Sequence, residues 1–200
     1  MTGSDLKEHL ELLTCQETAP DCWAFQPLCR IWGKAEADRR LAIFSQQGTG
    51  SRGVLLSLRS GVGAEAQGIR LRGQFLLPVE RTPQGAGPGF DTLRTAVVEP
   101  VTIRARPAAQ KDRDILNRPI LREQPPFTFP GVLAERFPRN EDETLHRSVS
   151  AVRVLWVPRP VPALRPGDLA ELDQVPWTVR TVQELYPDHR EYLIQREEDV

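Results

Sequence analysis

Eighteen prolines spread along a 200-residue chain constrain its fold more than any other feature. Each proline lacks a backbone donor and has a fixed φ, so neither long helices nor central strands can hold many of them. Fourteen glycines add further break points. The chain is cut into short segments separated by turns, which predicts a mainly β fold. With 40% hydrophobic and 26% charged residues, the segments carry enough apolar surface to pack.

Leu6, Leu10 and Leu13 recur at helical spacing behind Ser4, a good cap, so Ser4–Leu13 reads as a short N-terminal helix. Pro20 ends it. Strand patterns follow at LCRIWGKAE, GVLLSLR, IRLRGQFLLPVER and LRTAVVEPVTIR, with a tight turn at Gly73 and a bend at Pro100. The polar, charged and proline-bearing stretch from Ala105 to Pro126 reads as a linker. The strand patterns then restart at FPGVLAERF, VSAVRVLWVPR, LAELDQVPWTVRTVQEL and REYLIQREEDV. The expected organisation is an N-terminal arm with a helix (1–20), a first domain (21–104), a linker (105–126) and a second domain (127–200).

Matching segments of the two halves lie 97 to 100 residues apart, far longer than a solenoid repeat, which points to one domain plan used twice. About five short strands bury little unless the sheet curls and closes, and closure also removes exposed edges. The predicted fold class is therefore mainly β, with two tandem small β-barrel-like domains behind a short N-terminal helix. Trp156, Trp177, Val179 and Val182 are expected inside the second barrel, and Trp23 or Trp32 with Phe75 inside the first.

A search for chemistry returns no catalytic, cofactor-binding or metal residue, and the chain reads as not an enzyme. TGSRG is a near miss for a nucleophile elbow around Ser51, but a strand follows where a helix is needed. GTGSRG lacks the Lys of a phosphate loop, since Val54 follows Gly53. His9, His146 and His189 fall in an arm, a polar loop and a turn, with no adjacent nucleophile. Asp188, His189 and Arg190 read as a solvated turn, and the acidic runs Glu141–Glu143 and Glu197–Asp199 as loop and tail. Cys15, Cys22 and Cys29 are spaced too widely for a zinc site and read as free thiols. A net charge of −1 offers no general basic excess for nucleic acid. No run is long enough for a transmembrane helix, and the charged N-terminus does not read as a signal peptide.

The final segment, LRPGDLAELDQVPWTVRTVQELYPDHREYLIQRE, resembles the C-terminal part of the head-tail adaptor (head-closure) proteins of tailed phages. Their pattern is a Gly-Asp turn, a strand, an aromatic–x–Val strand and a closing strand with an aromatic–Leu pair. Gly167-Asp168, Trp177-Thr178-Val179 and Tyr192-Leu193 stand in those places. CRIWGKAE resembles the family's opening Trp–Gly–Glu strand, and GVLAERF does so more faintly. The resemblance spans about Trp23 to Val200, and the chain is roughly twice the length of a typical adaptor, so it is similar to a two-domain version of the family.

The resemblance implies a non-enzymatic virion protein, made in the host cytoplasm and forming a homo-oligomeric ring between portal and tail proteins. Packaged DNA would pass through the lumen without specific binding, and neither a membrane nor a cofactor is implied. GVGAEAQG, PQGAGPG and the linker are candidate docking segments. Three other readings stay open: a tail terminator or tail accessory protein, a double-barrel nucleic-acid-binding module, and a hydrolase using Ser51 or His189.

Overall fold

The computed structural model describes residues 2–38, 53–113, 119–135, 150–184 and 187–197. The protein is mainly β. Among the described residues the helical content is a single 3-10 turn, Gly3–Asp5. Twelve strands belong to one hydrogen-bonded set, and two short ones form a separate pair. The chain divides into two units: residues 1–16 with 25–100, and residues 17–24 with 101–200.

Unit 1 is built on β1 (Glu8–Ala19), β2 (Cys22–Asp38), β3 (Gly53–Arg59), β4 (Gly68–Leu71), β5 (Gln74–Thr82) and β6 (Phe90–Val98). Its strand order is β1-β4-β5-β6-β3-β2, and β2 pairs back onto β1, so the pairing runs in a closed circuit. The expected helix over Ser4–Leu13 is not formed; β1 occupies most of that stretch. Its helical spacing of leucines competes with an alternating one. Leu10 and Leu12 are both fully buried, and β1 pairs with β4 in the register Glu11↔Arg70, Leu12↔Ile69 and Leu13↔Gly68. Partners nearly sixty residues away override a weak local preference. The core is aliphatic: Leu10, Leu12, Leu56, Leu58, Ile69, Leu71, Leu76 and Leu93.

Unit 2 contains β7 (Val101–Arg106), β8 (Gln110–Arg113), β9 (Pro119–Arg122), β10 (Phe127–Glu135), β11 (Ser150–Pro158), β12 (Leu169–Leu172), β13 (Val175–Gln183) and β14 (His189–Glu197). The pairing order is β7-β12-β13-β14-β11-β10, and β10 pairs back onto β7. The stretch read as a linker, 105–126, holds the end of β7 and the antiparallel pair β8–β9. Pro100 falls in the two-residue break between β6 and β7, as its missing donor requires.

The two circuits match residue for residue. Register equates Leu58↔Asp91 of β3–β6 with Val157↔Arg190 of β11–β14, an offset of 99 on both strands. The pairs Leu77↔Ala96 and Thr178↔Gln195 are equivalent in the same way. The β5–β6 ladder slips between Pro78 and Glu80, and β13–β14 slips between Val179 and Thr181, 101 residues on in each case. Such a bulge bends the sheet and helps it curl. The hairpin turns also coincide. Arg72 and Gly73 have φ of 50° and 81°, and Asp173 and Gln174 have φ of 48° and 67°. Positive φ at both central residues is the two-residue turn whose twist matches the flanking strands.

Equivalent core positions are filled differently. Leu12 and Ile69 of unit 1 correspond to Ala105 and Ala170 of unit 2, while Leu76 and Leu93 correspond to Trp177 and Tyr192. Two large-to-small changes accompany two small-to-large ones, which keeps the core filled. Tyr192 is fully buried, and its hydroxyl accepts the Leu164 N–H at 3.2 Å. Trp177 and Val179 are buried as expected, as is Trp156; Val182 is half-buried. Trp32 instead is 52% exposed, because Gly33, its neighbour on the opposite strand face, takes the inward position. Trp23 packs edge-on against Phe127 within unit 2, and Phe75 is half-buried against Phe25.

This exchange makes a stability prediction. Ala170→Ile should destabilise the chain by about 1–3 kcal/mol through overpacking. Ala170→Ile with Trp177→Leu, which copies the unit 1 arrangement, should cost less than the sum of the two single changes. Urea unfolding of the four proteins measures the coupling. Strict additivity would mean that the two positions do not share space.

Candidate functional site

The charged side chains of both units are organised by strand pairing. Asp91 stands at the start of β6 and is buried. It accepts hydrogen bonds from Ser60 Oγ (2.6 Å), the Gly61 and Gln84 amides, and Arg81 Nε and Nη2 (2.9 and 2.6 Å). The Ser60 and Arg81 bonds hold its carboxyl far below the usual carboxylate range. Arg81 also donates to the Val62 carbonyl. In unit 2 the equivalent of Asp91 is Arg190. It donates to the carbonyls of Arg159 and Val161, the latter equivalent to Val62, and to Glu184. One turn is thus pinned in both units, with the charges reversed. A second reversal lies between the first strands. Glu11 pairs with Arg70 across β1–β4, and the matching register positions on β7–β12 are Arg104 and Glu171, with Arg106 bonded to Glu171 at 2.6 Å.

His189 is the most chemically distinctive of the residues singled out in the sequence. It is buried, not part of a solvated turn. Its ring lies 5.4 Å from that of Trp156, with Nδ1 3.0 Å from Asp188 Oδ1 and Nε2 3.7 Å from Glu191 Oε1. Burial alone would push the imidazole pKa down, but the bonds and charges of Asp188 and Glu191 outweigh it and raise the value. The bond to His189 in turn lowers the Asp188 carboxyl. A histidine held between two carboxylates and an indole is well made to lock β14 onto β11, where His189 pairs with Pro158.

The remaining sequence candidates are dispersed. Ser51, His146 and the run Glu141–Glu143 lie outside the described residues, as do Glu198 and Asp199. His9 stacks on Trp32 with ring centroids 3.6 Å apart. Cys15, Cys22 and Cys29 are free; Cys15 is buried, which pushes its thiol up to about 12, and Cys29 is exposed. Among the described residues no group of three or more His, Cys, Asp or Glu could hold a metal ion. No described helix is long and apolar enough to cross a membrane.

The most prominent open surface is on unit 1, along β2. Leu28 is 44% and Trp32 52% exposed, with Pro27, Cys29 and Arg30 also exposed. Residues 27–30 show no buried position on either face, so this part of the strand lies outside the packed core of its unit. Beside it a cavity of about 480 Å³ is lined by Gly3, Leu6, Ile31, Trp32, Arg59 and Val62. Sequence reasoning offered Trp23 or Trp32 for the core by residue type and missed Arg59. The signal it passed over was the neighbouring glycine, which claims the interior.

No protein-family model matches the chain, and no curated protein or solved structure is significantly similar to it.

The His189 cluster predicts a pH dependence of stability. Its pKa is raised in the folded chain, so its contribution is complete below the ordinary value of 6.5 and is lost as pH rises through the folded value. Asp188 acts oppositely: its contribution holds above the ordinary value of 3.8 and is lost as pH falls through its lowered one. Thermal unfolding between about pH 6 and pH 9 should show a loss of stability with rising pH that His189→Gln abolishes. An unchanged profile in that variant would remove His189 as its source.

Proposed function

We propose that this protein is a structural component of a tailed-phage particle, a head-tail connector whose two units are small closed β-barrels and which assembles as a ring between portal and tail. One observation supports the reading: the adaptor-like pattern falls on β12, β13, β14 and the turn before them, which hold the second circuit together. Gly167 has φ 95°, and its amide donates to the Val179 carbonyl, while the Val179 amide donates to the Asp168 carbonyl. Asp168 accepts from the Ala108 and Arg165 amides at 2.8 and 2.7 Å, fastening the end of β7 to the turn before β12. Trp177, Val179 and Tyr192 then fill the interior.

The surface chemistry favours neighbours over substrates. Leu28 and Trp32 are exposed on β2 and Val79 on β5, whereas the buried Asp91 and His189, whose ionisation is shifted, serve turns and strand ends. A ring requires two different surfaces per subunit, joined head to tail. The charge of the units supplies a polarity of that kind. Unit 1 holds 11 Lys and Arg against 9 Asp and Glu, a net of +2, and unit 2 holds 15 against 18, a net of −3. The nucleic-acid reading is less well supported. Arg30 and Arg70 are bound to Glu11, Arg72 to Glu8, Arg81 to Asp91, and Arg94 to Asp38 and Glu80, so these five arginines of unit 1 serve ion pairs within the fold.

Negative-stain imaging of the full chain, alone and mixed with the portal protein encoded in its own genomic neighbourhood, tests the proposal. Rings that cap the portal are the expected result. A chain that stays monomeric and binds neither portal nor tail would overturn it.

A further inference from the structure

We propose that the cavity beside Trp32 on unit 1 is a docking seat for the acidic segment Glu141–Leu145 of a second copy of this chain. The inference rests on the self-associating reading above and names its contact.

The seat combines two features that ordinary surface seldom places together. Its walls are apolar, formed by Leu6, Ile31, Val62 and an indole that is half open to solvent. Ile31 and Val62 rest on the unit 1 core, so this wall is fixed, and Trp32 is braced from behind by His9. A rigid aromatic loses little entropy on binding and is a common energetic anchor of interfaces. The second feature is Arg59. It closes β3 and lines the cavity, and among the described residues no carboxylate pairs with it. This sets it apart from the arginines of unit 1 that are tied to acids. A fixed apolar wall with an unspent guanidinium at its edge fits a segment carrying an acid beside an apolar side chain.

The chain itself contains such a segment. Glu141-Asp142-Glu143-Thr144-Leu145 places three acids immediately before a Thr-Leu pair. It belongs to the 14 residues between the end of β10 and the start of β11, on the unit with net charge −3, whereas the seat is on the unit with net charge +2. A contact from unit 2 of one copy to unit 1 of the next is heterologous, and it repeats until the assembly closes. Leu145 fills the apolar floor, and a preceding carboxylate meets Arg59.

Complementation between two defective full-length chains tests this without confusion from misfolding. The first carries Trp32→Ala and Arg59→Ala, which spoil the seat and leave the segment. The second carries Glu141→Lys, Asp142→Lys and Glu143→Lys, which spoil the segment and leave the seat. By analytical ultracentrifugation each alone should associate roughly tenfold or more weakly than the natural chain, the size expected for loss of an anchor. An equimolar mixture should form a heterodimer and nothing larger, because only one intact contact remains. Natural-type assembly by both variants alone would overturn the seat while leaving the ring reading intact. Absence of assembly by the natural chain would count against the ring reading. The seat is then judged by anisotropy of a fluorescent peptide of residues 139–148 against the second variant. Binding abolished by adding Trp32→Ala upholds the seat, and no binding overturns it. Displacement of that peptide by a single-stranded oligonucleotide, dependent on Trp32 and Arg59, would assign the surface to nucleic acid and overturn the proposal.

Discussion

In each closed circuit one strand gives way to side chains reaching across it. Gly33 and Gly131 are the positions where it does so. They occupy equivalent places on β2 and β10, next to the register pairs Lys34↔Ser57 and Val132↔Trp156. A Cβ at Gly33 would collide with Leu10 and press on Leu58 at 3.0 Å. A Cβ at Gly131 would lie 2.7 Å from Ile103 Cδ1, 2.8 Å from Leu155 Cδ1 and 3.1 Å from the Trp156 carbonyl oxygen. Leu10 and Ile103 are themselves equivalent, one on the first strand of each circuit. The glycine therefore sets how closely the first strand approaches the strand that closes the ring. Much else follows from that approach, including the outward turn of Trp32, because a strand that gives its inward position to Gly33 sends the adjacent side chain to solvent.

The comparison of the two circuits separates what the fold demands from what it leaves free. Bulge position, hairpin turn and register recur, because each fixes the curvature needed for closure. Core identity does not recur: aliphatic side chains fill unit 1, and two aromatics set against two alanines fill unit 2. Charge sign does not recur either. Asp91 and Arg190 hold the same turn, one by accepting and the other by donating, because a turn exposes both amides and carbonyls and either can be satisfied. What persists is a buried or part-buried charge with its partners met, since an unmet one would carry a desolvation cost.

The sequence made most of the strands from LCRIWGKAE onward legible, because alternating apolar residues, Gly73 and Pro100 all report local geometry. The equivalence of the halves was legible as spacing, and the structural offsets of 99 and 101 lie close to the spacing between segments. The pair β8–β9 was not, since it lies in the polar, proline-bearing stretch read as a linker, and three further features were not. β1 carries a leucine pattern compatible with a helix, and only its pairing to β4 decides the matter. Trp32 looks like core by type, and its exposure is set by Gly33. His189 looks like a turn residue, yet it is buried against Trp156 because β14 begins there and pairs with β11. In each case the deciding partner lies far along the chain, beyond what a window of neighbouring residues can report.

The same logic bears on why the exposed apolar surface sits where it does. Closure satisfies the edges of the strands, so a circuit of this kind has few unpaired backbone groups to offer a partner. Recognition must then come from side chains that the interior does not need. On β2 the interior requires Gly33 and its half-buried neighbours, and the residues before them are released. Leu28 and Trp32 are apolar and exposed outside that interior, with Trp32 resting on His9. The equivalent of Trp32 in unit 2 is Pro130, which is partly buried and opposes Thr102 of β7. The two units thus share a framework but differ in what that framework presents.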